Sequence, residues 1–210
     1  IKTLTEDPRE SRSTVMGDRR PPLVMVREGE ASFECRLDDG IQTGLFLDHR
    51  ETRARAWDFS REVEVLNLFA YTCSFSVHAA LAGARRVTSV DISQRALDWG
   101  RRNMSRSGLD PNLHRWFADD VLTHIRRARR SYGLVVLDPP VFGHGRKPFS
   151  LTRDLDELMA GAVEQLTDGG VLIASTHHQQ IGAERLEASL SRAARASNGR
   201  IDVLDRLGLP

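Results

Sequence analysis

Residues 134–140 read Leu-Val-Val-Leu-Asp-Pro-Pro, an apolar run that ends in Asp138, Pro139 and Pro140. Upstream, Arg86-Val-Thr-Ser-Val-Asp91 is a second apolar run that ends in an acid. Strands of an open α/β sheet present their carboxyl ends to ligands, so two such carboxylates are placed to accept hydrogen bonds from hydroxyl or amino groups. The prolines remove backbone donors and stiffen the turn. A carbonyl there stays free to accept a bond from outside the chain.

The elements that must hold these acids follow a regular alternation. Val63–Phe69, Arg86–Val90, His114–Phe117, Leu134–Leu137, Val171–Ser175 and Ile201–Leu204 read as strands. Between them Ser76–Ala82, Ser93–Ser107, Val121–Arg130, Leu155–Leu166 and Ala183–Ala196 read as helices, the second capped by Ser93. Strands alternating with helices of this length predict an α/β fold, a doubly wound, mostly parallel sheet of Rossmann-like type. Ahead of it, Leu23–Val26 and Ala31–Leu37 predict a small β-hairpin, Asp38-Asp39-Gly40 a turn, and Asp48–Ser60 a helix with Asp48 at its N-cap. The organisation is therefore residues 1–21 as a linker or truncated segment, 22–60 as hairpin and first helix, and 61–210 as the catalytic sheet.

Composition narrows the classes. At 210 residues with 40% hydrophobic and 28% charged content, the chain suits one soluble domain. No apolar run is long enough to span a bilayer and no signal peptide is evident, so the expectation is a cytoplasmic protein with no membrane partner. Cys35 and Cys73 are too few for a disulfide framework or a cysteine zinc site, and no metal is expected. The net charge of +1 gives no global pull toward nucleic acid, although nearly all of the 30 basic residues are arginine. Arginine suits stacking and phosphate contact, but a compositional bias of the genome is the favoured account of the preference.

The loop after the first sheet strand, Ala70-Tyr-Thr-Cys-Ser-Phe-Ser76, contains no glycine. Dinucleotide sites need glycines there to bring the backbone to a pyrophosphate, so NAD, FAD and P-loop nucleotides are disfavoured. Asp91 nevertheless falls about twenty residues downstream, where a carboxylate accepts bonds from ribose hydroxyls. The alternative is an N-cap, for which Ser93 is better placed. A ribose without a pyrophosphate points to a nucleoside cofactor such as S-adenosyl-L-methionine.

Four blocks, Thr43-Gly-Leu-Phe-Leu-Asp-His-Arg50, Val65-Leu-Asn-Leu-Phe-Ala-Tyr-Thr72, Val87-Thr-Ser-Val-Asp91 and Leu137-Asp-Pro-Pro140, occur in order. Together they resemble the bacterial 23S ribosomal RNA methyltransferases of the RlmK and RlmI type, over about residues 22–210. The first two blocks are most similar to the RlmK domain of the bifunctional RlmK/L enzyme, which methylates guanine at N7. The resemblance implies that Phe69, Ala70, Tyr71, Thr72, Cys73 and Ser74 cradle the methionine part of the cofactor. Asp91 and Ile92 would meet the ribose and its surroundings, and Asp120 the adenine amine, with Asp119 the lesser choice; either acid would alternatively cap the next helix. Phe46, Asp48 and Arg50 would approach the cofactor from outside the sheet, with Arg53 turned to RNA. The alternative for that block is an ordinary helix start with an ion pair.

The family's usual glycine is replaced by Cys73, whose side chain would crowd the cofactor if the backbone needs φ above zero. Asp138, Pro139 and Pro140 would position the target base and Phe142 stack on it, unless Phe142 is a core residue. Cytosine-C5 enzymes of the RlmI type need a cysteine nucleophile, which the Ala174–Gln180 segment lacks. His177 and His178 stand there instead, without a matched role. Arg146 and Lys147 lie in a basic loop suited to RNA phosphate, or simply to solvent. The implied activity is S-adenosylmethionine-dependent methylation of guanine N7 in 23S ribosomal RNA, as free RNA or a precursor particle. A cytosine-C5 methyltransferase and a catalytically weak RNA-binding module are the alternatives. The relatives also carry an RNA-binding domain ahead of residue 1 and a closing hairpin after residue 210, so the chain reads as part of a larger enzyme.

Overall fold

The computed structural model describes residues 23–37, 42–127, 131–142, 149–178 and 180–207. The predicted turn at 38–40, the last residues of the helix predicted to 130, residues 1–21, and Arg146 with Lys147 lie outside them. A hairpin of β1 (Leu23–Glu28) and β2 (Ala31–Arg36) leads to a short 3-10 turn, Leu47–His49, and helix α1 (Arg50–Asp58). Then follow β3 (Glu64–Leu68), α2 (Ser74–Leu81), β4 (Arg86–Asp91), α3 (Gln94–Arg106), β5 (Arg115–Ala118) and α4 (Val121–Arg127). The chain continues through β6 (Tyr132–Leu137), α5 (Leu151–Glu164), β7 (Leu166–Ala174) and α6 (Ala183–Ala196).

The five long-range strands pair in parallel in the order β5-β4-β3-β6-β7. The order reverses at β3, which opens a crevice at the carboxyl ends of β3 and its neighbours. Alternating side chains feed two cores. Leu66, Val135 and Leu137 face a cluster with α4, α5 and α6, whereas Val65, Leu134 and Val136 face the hairpin, α2 and α3. Burial on both faces is why these strands read as continuous apolar runs.

Ile201–Leu204 is a correction to the sequence reading. The segment 201–207 forms no ladder and is exposed throughout. Its alternating apolar residues carry local strand propensity, but without a neighbouring strand to pair with among the described residues they form no ladder. Helix α2 begins at Ser74, two residues before the predicted start, and α5 at Leu151 rather than Leu155.

The hairpin is fixed to α3 by buried polar contacts. Asn103 Oδ1 accepts from Glu34 N at 2.9 Å, and Trp99 Nε1 donates to Glu34 O at 3.1 Å. The Glu34 carboxylate, itself 2% exposed, takes Arg102 at 3.0 Å and Arg106 at 2.5 Å.

Candidate functional site

The turn after β3 has three non-glycine residues in the left-handed region, Phe69 (φ 57°), Tyr71 (φ 48°) and Cys73 (φ 63°). Such a concentration costs of order 1–3 kcal/mol per residue and persists only where the surroundings hold it. They do. Thr72 Oγ1 donates to Gly44 O at 2.6 Å, and Asn103 Nδ2 donates to Thr72 O at 3.1 Å. Beneath the turn, Asn67 Nδ2 donates to Ser76 Oγ at 2.8 Å, and Ser76 and Ser89 share a further bond. The backbone therefore follows a tight curve without glycine.

Cys73 has the positive φ that its position demands, but its side chain does not crowd the crevice. It is wholly buried in a small cluster with Ala70 and Leu97. Room exists because α3 carries Gly100 opposite; a Cβ there would lie 2.7 Å from Cys73 Cβ. The expected obstruction of the ligand space is thus overturned, and the cost is transferred to α3.

Asp91 ends β4 facing that turn. Tyr71 N donates to its Oδ2 and Ser93 N to its Oδ1, each at 2.8 Å. The two amides fix the carboxylate plane and leave its remaining lone pairs for donors in the crevice. Burial pushes the Asp91 carboxyl above its usual range, against the two amides that favour the charge. Hydroxyl donors would relieve that cost. Ser93 Oγ takes the capping bond from Ala96 N at 3.2 Å, so Asp91 is not the helix cap. Ile92 follows with 61% of its surface exposed.

Asp120 is exposed and its Oδ1 accepts from Thr123 N at 2.8 Å, which makes it the cap of α4. Its second oxygen has no such bond to the helix. Phe46 is partly exposed and packs on Tyr71, with ring centres 5.4 Å apart. Arg50 is exposed at the start of α1.

Arg53 requires a correction. It is 0% exposed, and its guanidinium grips both oxygens of Glu28 at 2.7 Å while Nη1 donates to Phe46 O at 2.8 Å. His78 Nε2 adds a contact to Glu28 at 2.9 Å. Burial pushes the Glu28 carboxyl up, but Arg53 and His78 outweigh it and hold the pKa at about 2. Every direction of the Arg53 fork is thus turned inward. It ties the hairpin to the Phe46 block and presents no donor to RNA.

At the other side of the crevice, Asp138 follows β6 with its carboxylate held from two directions. Ser175 Oγ donates to Oδ1, and His49 Nε2 lies 3.3 Å from Oδ2. Burial pushes Asp138 up, yet the bond and charge of His49 outweigh it and keep the acid below its usual range. Reciprocally, burial pulls His49 down, but Asp138 holds it above an ordinary imidazole. His177 Nε2 lies 2.9 Å from His49 Nε2, and His177 Nδ1 is 3.7 Å from Asp48. Phe142, four residues beyond Asp138, is 67% exposed, so it is not a core residue. Pro139 is buried and Pro140 exposed. His49 and Ser175 carried no role of their own in the sequence reading, although both lie in segments it singled out, Thr43–Arg50 and Ala174–Gln180.

Tyr71 thus joins the predicted loop to Asp91 and to Phe46, while His49, packed on Phe75, joins Asp138 to the His177–Asp48 pair. A nucleoside with free sugar hydroxyls fits such a set, because the acceptor at Asp91 is oriented and the loop offers no glycine-lined seat for a pyrophosphate. The comparisons with known proteins agree. Residues 17–209 match the model of the S-adenosylmethionine-dependent methyltransferases. The chain belongs to that family. It is 42% identical over 165 residues to the ribosomal RNA large subunit methyltransferase K/L of Psychrobacter cryohalolentis, covering 76% of this chain and 21% of that protein. With the protein of the same name from Shewanella loihica it shares 36% identity over 190 residues, covering 89% of this chain and 26% of that protein. The chain thus spans only 21% to 26% of the length of these relatives. The crystal structure of SMU.776 complexed with SAH superposes with a TM-score of 0.82 at 31% identity, covering 93% of this chain and 52% of that one.

As a member of this methyltransferase family, the chain uses S-adenosylmethionine as cofactor. When bound, the cofactor supplies a methyl group already activated on a sulfonium. The protein's task is alignment, a contribution of roughly 7–11 kcal/mol in favourable systems.

Proposed function

We propose that the chain methylates a guanine, at N7, in large-subunit ribosomal RNA. In this reading the 69–74 turn holds the methionine part of the cofactor and Asp91 accepts from the ribose hydroxyls. Ile92 lies against the adenine, and the outer oxygen of Asp120 receives its amine. Phe46, Asp48 and Arg50 border the same space. The names of the relatives at 36% and 42% identity support ribosomal RNA as the substrate.

The target atom rests on one observation: neither cysteine of the chain reaches the crevice. Methylation at cytosine C5 needs a thiolate to add to the ring first. Cys35 is buried in the hairpin and Cys73 under the turn, and burial pushes both thiols up. Guanine N7 carries an in-plane lone pair and needs no such addition. Asp138 would accept from the exocyclic amine of the base, its ionised state secured by His49. It also puts negative charge beside a ring that becomes cationic on methylation. Phe142 offers an exposed face for stacking. The Arg146–Lys147 loop, outside the described residues, remains a candidate phosphate contact on its sequence alone.

The test is methyl transfer from labelled S-adenosylmethionine to undermodified large-subunit RNA, followed by nucleoside mass spectrometry. 7-Methylguanosine is expected. 5-Methylcytidine as the product, or cofactor binding without transfer to any base, would overturn the reading.

A further inference from the structure

The side chains of Asp48, His49 and His177 meet beside Asp138, although 128 residues separate the two histidines. One ligand atom from each lies within 4.8 Å of the others. The two imidazole Nε2 atoms are only 2.9 Å apart, and Asp138 Oδ2 is 3.3 Å from His49 Nε2. Two imidazoles and two carboxylates are thus gathered in one small space, with Asp48 3.7 Å from His177 Nδ1. His49 Nε2 has a single proton to share between Asp138 and His177.

We propose that Asp48, His49 and His177 form a binding site for a first-row divalent cation of the zinc class, with Asp138 as a fourth oxygen donor. Bonds of about 2.0–2.1 Å at a tetrahedral angle separate neighbouring ligand atoms by roughly 3.3 Å, the spacing seen between His49 and Asp138. The His49–His177 pair needs to open by a few tenths of an ångström, and His177 can supply that because its side chain is 44% exposed. Imidazole donors favour zinc, cobalt or nickel over magnesium and calcium, which prefer all-oxygen shells. On binding, the proton shared at His49 Nε2 leaves to solvent and the nitrogen lone pair goes to the metal.

The sequence reading gave this region no metal, since cysteine spacing was the only ligand signal it used. The site is made by tertiary folding: His49 and Asp48 come from the turn before α1, His177 from the segment after β7. It also has a consequence for the reaction, which rests on the reading that Asp138 receives the target base. An ion drawing on Asp138 would occupy the position of the base edge, so zinc should block methyl transfer.

Calorimetric titration of the chain with Zn²⁺ alone tests the site. One ion per chain at micromolar affinity or tighter is expected, weakened at least tenfold by His177→Asn and by Asp48→Asn, and unchanged by His178→Asn. Co²⁺ should give the visible absorption of a four-coordinate ion in the wild type and lose it in His177→Asn. Far-ultraviolet dichroism and S-adenosylmethionine affinity of His177→Asn, both expected to match the wild type, establish that the variant is folded. Absence of stoichiometric zinc binding, or binding unaffected by His177→Asn, would overturn the site. These measurements use no RNA, so they stand apart from the failure of the guanine reading. Methyl transfer that survives saturating zinc would overturn the competition with the base.

Discussion

Replacing Gly100 with alanine probes how the cofactor turn is supported. The added methyl would sit 2.7 Å from Cys73 Cβ and 3.3 Å from Thr72 O, with Sγ also in its way. These are backbone-near atoms of a strained turn, so little can yield. Overpacking of this kind costs about 1–3 kcal/mol, and the upper end applies here. Alanine in a helix recovers about 1 kcal/mol relative to glycine, leaving a net loss near 2 kcal/mol. In a domain of this size that lowers Tm by about 4–8 °C. Cys73→Gly acts differently. It relieves about 1–2 kcal/mol of left-handed strain at φ 63° and forfeits a comparable amount of buried contact, so stability should stay within about 1 kcal/mol of the wild type. In the double variant the alanine methyl fills the space left by the thiol. The two changes should therefore couple favourably by about 2 kcal/mol, well above the few tenths expected of independent sites. Urea unfolding of the four proteins measures the coupling, and calorimetric titration with S-adenosylmethionine reports the turn. Affinity should fall about tenfold in Gly100→Ala and recover in the double variant, a change of about 1.4 kcal/mol. Additive effects, with coupling under about 0.5 kcal/mol, would refute the claim that Gly100 exists to house Cys73.

Further expectations concern the acids and the fork. Asp91→Ala removes the acceptor for two hydroxyls and orphans the Tyr71 and Ser93 amides; at about 1.5–3 kcal/mol per charged bond, cofactor affinity should drop at least tenfold by calorimetry. Arg53→Leu leaves the half-buried Glu28 beside His78 alone and should destabilise the fold by about 3 kcal/mol in urea, the low end for breaking a buried pair, with no loss of RNA affinity in the fraction that remains folded. The folded pKa of Glu28, about 2, lies below its ordinary 4.5, so its stabilisation is complete above that value and disappears as pH falls toward 2. Acid titrations of stability should show a loss of at most about 3 kcal/mol from this group, absent in Glu28→Gln. Phe142→Ala should reduce RNA methylation by an amount equivalent to about 1–3 kcal/mol of lost stacking, with cofactor affinity unchanged. Combined Arg146→Ala and Lys147→Ala should lower the slope of log RNA affinity against log salt by about one for each phosphate contact removed.

What the amino-acid order determined by itself was local. The periodicity of Val63–Phe69, Arg86–Val90 and Leu134–Leu137 specified strands buried on both faces, and the alternation with helices specified parallel pairing. Asp91 and Asp138 were legible because a strand's end is visible in its own sequence, and the Ser93 cap because it acts within one helical turn. The absence of glycine from the 70–76 turn was equally local. Only the tertiary structure decided what those side chains meet. Arg53 read as a surface cation until folding brought Glu28 and the Phe46 carbonyl to its three sides. Cys73 read as an obstruction until α3 placed Gly100 beneath it. Ile201–Leu204 read as a strand, but a ladder needs a partner, and none of the described strands pairs with it. His49 had no role until Asp138 and His177 converged on its one nitrogen. Propensity and periodicity act over a few residues, whereas burial, ion pairing and ligand geometry depend on groups tens to more than a hundred positions apart. No local pattern encodes which of them will touch.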